Sequence, residues 1–329
     1  MSLGSLLLVD GTQVLHRVLY AEERADAQDH YQSQDILDTR AVASFLSMLR
    51  PLLMSMRPRR CVVVWDGGGW SQRRLTIYPE YKSQRITVPP EKEEAHQKHF
   101  ERFQEQRAFL EKFLELLCIP SIRLAKREAD DVIAYIALSQ IPHSKVTIFS
   151  DDQDFRQLVV RGVEIYRPSQ KNFLVPGVLP DDKIPHASYL LYKACLGDPS
   201  DNIRGITGVG EKTLGEIFLS FKGKTAGELY EFLSGLRGQG ARIDRLLDGF
   251  AIVLRNLHLL DLTLESFTPE EEQILEHTSS ALAGKMIFHS GKIEMALRKY
   301  GMNKALQNFD YWVEPFARLG VQSRFTLPA

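Results

Sequence analysis

Cysteine is nearly absent: Cys61, Cys118 and Cys195 are three in 329 residues, odd in number, far apart and without a Cys-x-x-Cys pair. That excludes a disulfide framework and a zinc-site spacing, and fits a reducing compartment. No apolar run approaches the roughly 18 residues of a membrane span, and no basic region precedes an apolar core at the N-terminus. The reading is a soluble, cytoplasmic protein. Neither charge sign is in excess, with 41 Lys and Arg against 42 Asp and Glu, so bulk charge neither marks nor excludes a polyanionic partner. Internal repeats and low-complexity tracts are not found. No Ser-His-Asp or Cys-His arrangement is present; His16, His96, His99 and His143 lack ligand spacing and read as solvated or partly packed.

What is present is a set of apolar stretches that each end in an acid: Leu6 to Asp10, Val62 to Asp66, and Val146 to Asp152. Continuous apolar runs read as strands buried on both faces of a parallel sheet, and ligands of such sheets bind outside the carboxyl ends of the strands. Further acids follow the same logic in Glu128-Ala129-Asp130-Asp131, Asp152-x-Asp154 and Asp198-Pro199-Ser200-Asp201. Crowded carboxylates need a counter-charge or take up protons, and oxygen-only ligands favour magnesium, with manganese as a substitute. For any one acid taken alone, helix capping is the plain alternative. Two ions about 4 Å apart suit in-line hydrolysis of a phosphodiester.

Charge is unevenly distributed. Residues 50–85 hold eight basic residues and two acids, while 128–154 hold six acids and one Lys. Between Gly67-Gly68-Gly69 and a third strand at Ser121 to Leu124 lies an insertion of about fifty residues, far beyond the usual αβ connection. Its first half carries Trp70, Arg73, Arg74, Tyr78, Tyr81, Lys82 and Arg85, and Val88-Pro89-Pro90 breaks it. Its second half, Glu91 to Leu117, reads as a helix with Phe100, Phe103, Leu110, Leu114 and Leu117 on one side, ~40 Å long if unbroken and standing partly clear of the body. Lys82 and Arg85, with Arg74 upstream, are candidates to grip a scissile phosphate; solvated charge is their alternative. A helix from Ile36 to Met56 follows the first strand, and beyond Pro185 the strand signals stop.

Two tempting motifs fail. Asp10-Gly11-Thr12 has Leu8 where a phosphatase nucleophile would stand, and Gly205 to Thr213 has one residue too many for a P-loop and follows no buried strand. The second stretch reads better as a turn between helices whose Gly208 and Gly210 admit phosphates to backbone N–H groups, with Lys212 and Thr213 beside them. A plain interhelical turn is the alternative.

In order along the chain, Val9-Asp10-Gly11, Trp65-Asp66-Gly67, Arg74, Tyr81-Lys82-x-x-Arg85, Glu128-Ala129-Asp130-Asp131, Asp152-x-Asp154-x-x-Gln157-Leu158, Gly197-Asp198-x-Ser200-Asp201-Asn202 and Gly208-Val209-Gly210-x-Lys212-Thr213 resemble the 5′-nuclease superfamily of flap endonucleases and 5′-3′ exonucleases. The resemblance covers about residues 6 to 215 and includes the N-terminal domain of DNA polymerase I and stand-alone bacteriophage enzymes. It implies one metal position at Asp10, Asp66, Glu128 and Asp130, another at Asp152, Asp154, Asp198 and Asp201, and Asp131 close to both. It further implies Tyr81, Lys82 and Arg85 at the base of an arch that admits a single-stranded 5′ end. Gly208 to Lys212 would then hold duplex, with a potassium ion there, and Arg73 would join the DNA contacts. Asp151 departs from the pattern as an extra acid, leaving Asp152 to face metal.

The fold expected is α/β: residues 1–185 form a mostly parallel sheet flanked by helices with an arch at about 67–118, and 186–329 a helical domain with its DNA-binding hairpin at about 197–221. The activity expected is a structure-selective, two-metal 5′ nuclease acting on flaps, nicks and RNA/DNA primers without sequence preference, in replication or repair. A monomer is expected, in the cytoplasm of a bacterium or phage-infected cell; no polymerase region follows, which favours the stand-alone type. Rivals are a PIN-type ribonuclease, which lacks both the insertion and the hairpin, and a catalytically silent junction binder, which would have lost acids. Leu306 to Phe316 and the tail Val321 to Ala329 read first as helix packing, with the docking of a replication partner as the alternative.

Overall fold

The computed structural model describes residues 4–29, 39–85, 89–178, 182–281 and 286–322; the expected helical start at Ile36, the break at Val88 and the tail beyond 322 lie outside them. Six strands form one sheet: β1 (Gly4–Asp10), β2 (Arg60–Trp65), β3 (Ser121–Arg123), β4 (Ser144–Phe149), β5 (Glu164–Arg167) and β6 (Asn172–Leu174), in the order β3-β2-β1-β4-β5-β6. All pairs are parallel except β5 with β6. Strand order reverses between β1 and β4, where ligand crevices of such sheets open.

Alternation along the strands divides the core. Leu7, Val9, Val63 and Trp65 face one cluster, built with α1 (Gly11–Asp29), α2 (Arg40–Met56) and α4 (Pro90–Leu116). Leu6, Leu8, Val62, Val64 and Ile148 face the other, built around α5 (Ala129–Gln140). Both faces are covered, so the middle of β1 and β2 is apolar on both sides, and Thr147 of β4 is a polar residue fully buried within the sheet. Between β2 and α4 stands the short α3 (Gln72–Ile77).

The 27-residue α4 is unbroken. Its residues 93–98 are exposed, whereas Phe103, Leu110, Phe113 and Leu114 are buried. Phe100, expected on the packed side, is 50% exposed.

A third cluster belongs to α6 (Tyr189–Leu196), α7 (Glu211–Ser220), α8 (Ala226–Ser234), α9 (Ala241–Asp248) and α10 (Phe250–Leu260). Short paired strands β7 (Gly197–Asp198) and β8 (Ile203–Arg204) interrupt it. Residues 189–260 and 288–319 of the expected 186–329 unit contribute to different clusters. After α11 (Pro269–Ala281) the chain returns to the first cluster: Ile293 and Leu297 of α12 (Ser290–Lys299), Ala305 of α13 (Asn303–Leu306), and Val313 and Phe316 of α14 (Phe309–Ala317) all pack there. Arg50 donates to the carbonyls of Trp312 and Tyr311, so the Leu306 to Phe316 stretch is used in helix packing.

One repeat does exist. The turn Ile206–Val209 closes with Val209 N–H donating to Ile206 O, Gly208 at φ +77°, and Gly210 opening α7. Thirty positions on, Gln239 N–H donates to Leu236 O, Gly238 lies at φ +79°, and Gly240 opens α9. Positive φ at the third turn residue is the reason for glycine at both places. Among the described residues no helix is long and apolar enough to cross a membrane.

Candidate active site

The carboxyl edge of the sheet collects the acids into one open cleft of about 160 Å³. Asp10 ends β1, Asp66 follows β2, Asp152 and Asp154 follow β4, and Glu128 and Asp130 start α5. Asp198 and Asp201 come from β7 and the turn after it. These eight line the cleft with Lys82 and Arg85. The volume is below the ~300 Å³ usual for small-molecule pockets, so it suits ions and a phosphate, with the rest of a substrate outside.

Capping and clustering turn out to coexist. Asp10 accepts from Gln13 N–H and Ser150 Oγ, each at 3.0 Å, and so caps α1. Asp152 accepts from Asp154 N–H at 2.8 Å, and Asp198 from Ser200 N–H at 2.9 Å. Asp66, at the open rim, accepts from Ala129 N–H at 2.7 Å.

Counter-charge reaches only half of the eight. Lys82 Nζ contacts Glu128 and lies 3.7 Å from Asp201; Arg85 Nη2 donates to Asp201 at 2.7 Å. Lys193 Nζ contacts Asp154 and lies 2.8 Å from Asp198. Glu128 and Asp198 are accordingly held below the usual carboxylate range: burial pushes each up, but Lys82 and Arg74 outweigh it for Glu128 and Lys193 does so for Asp198. Asp10, Asp66, Asp130 and Asp152 have no cationic partner within ion-pair distance among the described residues. Burial, reinforced by neighbouring carboxylates, raises Asp10 to about 7, Asp130 well above its ordinary value, and Asp152 as well.

As they stand, no three His, Cys, Asp or Glu side chains among the described residues are set to hold an ion; the ammonium groups of Lys82 and Lys193 lie between the carboxylates instead. The donor set nevertheless fits hard divalent cations, since it is all oxygen, under-compensated and open on one side. Lys193 was not anticipated from the sequence. Its one signal is that it is the sole charge in the apolar run Tyr189–Leu196.

Other expected residues fall elsewhere. Arg74, expected at the scissile phosphate, is 2% exposed and grips Asp131 with two bonds of 2.7 Å, while its Nε donates to Leu259 O at 2.8 Å. Asp131, 1% exposed, is outside the cleft lining for the same reason. Arg73, expected on DNA, spends its donors on Glu265 and on the carbonyls of His258 and Asp261. Tyr81 is buried, with its hydroxyl 3.0 Å from Glu128 Oε2 and 3.2 Å from Asp201 Oδ2, so it stands between the two acids. Asp151 turns away: Arg17 reaches it at 2.5 Å, and Ser169 N–H at 3.0 Å, which leaves Asp152 facing the cleft.

Lys82 has φ +55°, an uncommon conformation for a residue with a side chain, and its N–H donates to Asp201 O at 2.9 Å. Gln84 and Arg85 donate to Ser200 O, and Asn202 Nδ2 donates to Glu80 O at 2.7 Å. The arch base is thereby fastened to the loop carrying Asp198 and Asp201. Gly205 backs this loop so closely that a Cβ would lie 2.0 Å from Leu196 O. Gly208, Gly210, Lys212 and Thr213 lie outside the cleft; Gly208, Gly210 and Lys212 are exposed, and Arg245 of α9 covers Gly208.

With this geometry in view, a family model described as the 5′-3′ exonuclease, N-terminal resolvase-like domain matches residues 5–179. The chain is 34% identical over 218 residues to a 5′-3′ exonuclease of Aquifex aeolicus, covering 64% of this chain and 67% of that one. It is 32% identical over 238 residues to DNA polymerase I of Streptococcus pneumoniae, covering 70% of this chain; it spans about a quarter of that protein's length. Among solved structures, the bacteriophage T5 D15 protein co-crystallised with metal ions is similar with a TM-score of 0.61 and 26% identity, covering 78% of this chain and 89% of that one. A T5 flap endonuclease variant in a pseudo-enzyme–product complex with DNA and metal ions is similar at a TM-score of 0.60 and 25% identity, again over 78% and 89%. The matched domain holds β1 to β6 and six of the eight cleft acids, and the chain belongs to the 5′-3′ exonuclease family.

Proposed function

We propose that this protein is a structure-selective, divalent-metal-dependent 5′ nuclease that hydrolyses phosphodiesters near 5′ ends and at junctions of single strand and duplex, in primer removal or repair. The observation that carries the reading is the group of four carboxylates, Asp10, Asp66, Asp130 and Asp152, left without a cation at a cleft whose other wall is Lys82 and Arg85. Two magnesium ions, with manganese as a substitute, would be held by Asp10, Asp66, Glu128 and Asp130 on one side and by Asp152, Asp154, Asp198 and Asp201 on the other. Bound there, they would supply charge neutralisation and an acidified water for in-line attack.

The chain's own groups do the rest. Arg85, 49% exposed at the mouth, reaches a phosphate without leaving the arch base. Lys82, beside Glu128 at the cleft wall, would stabilise charge on the phosphate oxygens. The Gly208 turn and Lys212 contact duplex backbone, which carries no base information, so selectivity follows junction shape. A potassium ion would sit at that turn.

The test is to incubate end-labelled 5′-flap, nicked, blunt and RNA-primed duplexes with the protein, with and without magnesium, and to map the products. Magnesium-dependent cuts within a few nucleotides of the junction are expected, leaving 5′-phosphates. Binding without any cleavage in magnesium or manganese would overturn the assignment in favour of a junction binder.

A further inference from the structure

We propose that Glu265 is a positioning residue for Glu128, acting through Ser71; the inference rests on the reading of the acid cleft as the hydrolytic site. Glu265 stands between α10 and α11, in a stretch where no motif was recognised. Its side chain is 4% exposed, and both of its oxygens are met. Ser71 Oγ donates to Oε2 at 2.8 Å, Arg73 Nε to Oε2 at 3.1 Å, and Arg127 Nη1 to Oε1 at 2.8 Å. A carboxylate so enclosed is tolerable only with such partners.

Ser71 is the link to the cleft. It is buried, its Oγ accepts from Arg74 N–H at 3.3 Å to cap α3, and its own N–H donates to Glu128 Oε1 at 2.9 Å. Glu265 therefore sets the hydroxyl rotor and the backbone position that fix one oxygen of Glu128, while Tyr81 and Lys82 meet the other oxygen.

The same segment holds the far end of α5's first turn. A helix leaves its last carbonyls unpaired. At the end of α10, Arg73 takes those of His258 and Asp261, Arg74 Nε that of Leu259 at 2.8 Å, and Gln157 Nε2 that of Leu260 at 3.0 Å. Arg74 in turn fixes Asp131. Glu128 and Asp131 are thus both positioned from residues 258–265. Arg127 also binds Glu271 at 2.8 and 2.7 Å, which keeps α11 docked when Glu265 is altered.

Glu265→Gln and Ser71→Ala test the link in the full-length protein. Single-turnover cleavage of a 5′-flap duplex is followed against magnesium concentration, calcium binding is measured by calorimetry without DNA, and DNA affinity is measured in calcium. Each variant is expected to lose on the order of tenfold in rate and in calcium affinity, the usual consequence of removing a group that orients a metal ligand. DNA affinity should stay within twofold. The double variant should be no worse than the poorer single one, because both act along one path. A role in folding alone would lower the melting temperature and the active fraction, yet leave calcium affinity of the folded fraction unchanged; that result, or additive losses, would overturn the proposal. A wild-type protein that binds calcium but cleaves nothing would sink the nuclease reading instead, and the calcium comparison would still decide the case of Glu265.

Discussion

Replacing Arg74 with alanine separates two roles for one side chain, a phosphate grip and an internal brace. In the structure its guanidinium is 2% exposed, makes two 2.7 Å bonds to Asp131 and one of 2.8 Å to Leu259 O. Alanine would leave Asp131 buried without its cation, a loss of about 3–5 kcal/mol. It would also strip the Leu259 carbonyl, worth about 1–3 kcal/mol. Water entering the space left behind recovers part of this, so a net loss of about 4 kcal/mol is expected, a large share of the ~5–15 kcal/mol that holds a typical domain. Urea unfolding in EDTA, read by circular dichroism and tryptophan fluorescence, measures it. Arg74→Met combined with Asp131→Leu should recover most of the loss, since an apolar pair of similar volume replaces a buried ion pair at little cost. An Arg74→Ala protein that loses under about 1 kcal/mol while cleavage falls severalfold would refute this reasoning and return the guanidinium to the substrate.

Asp130→Asn and Asp152→Asn should each abolish magnesium-dependent cleavage while DNA binding in calcium survives; turnover at the parent rate would remove the carboxylate concerned from the metal set. Lys82→Ala should slow single-turnover cleavage far more than it weakens DNA affinity, and equal losses in both would reduce Lys82 to a tether. His16, stacked 4.1 Å from Phe103 and bonded to His99, is held at about 4 by burial, with His99 and Arg85 adding to the effect. A histidine with a depressed folded pKa gives its full stability above the unfolded value of 6.5 and loses it as pH falls toward 4, at no more than ~1.4 kcal/mol per unit. Melting in EDTA should therefore show on the order of 1–2 kcal/mol lost between pH 6.5 and 5, a slope that His16→Phe flattens; an unchanged slope in the variant counts against the assignment.

Periodicity makes much of the site legible in the sequence. Acids that end buried apolar runs gather at one sheet edge, because parallel strands all point their carboxyl ends the same way, and so Asp10, Asp66 and Asp152 meet in the cleft that eight of the nine candidates line. The length of α4 and the burial of Phe103, Leu110 and Leu114 were equally readable from helical spacing. The partners that Arg73 and Arg74 meet in this structure were not legible, because a basic residue on a polar insertion looks the same whether it faces solvent or the end of a helix from elsewhere in the chain. The recurrence of Ile206–Thr213 at Leu236–Ile243 escaped notice because only the glycines and one basic position are shared.

Local sequence alone determined the strands, the acids that cap the elements after them, and the exposed start of the arch helix, since each depends on spacing within a few residues. Only the tertiary structure decided which carboxylates are neutralised. Lys82 and Lys193 reach four of the eight, Arg74 removes Asp131 from the cleft, and Glu265 arrives at Ser71 from the far end of the chain. Counter-charge depends on distance in space, which falls off over a few ångströms and bears no relation to separation along the chain. In the same way α12 to α14, unremarkable as sequence, join the core cluster that holds α2 and α4.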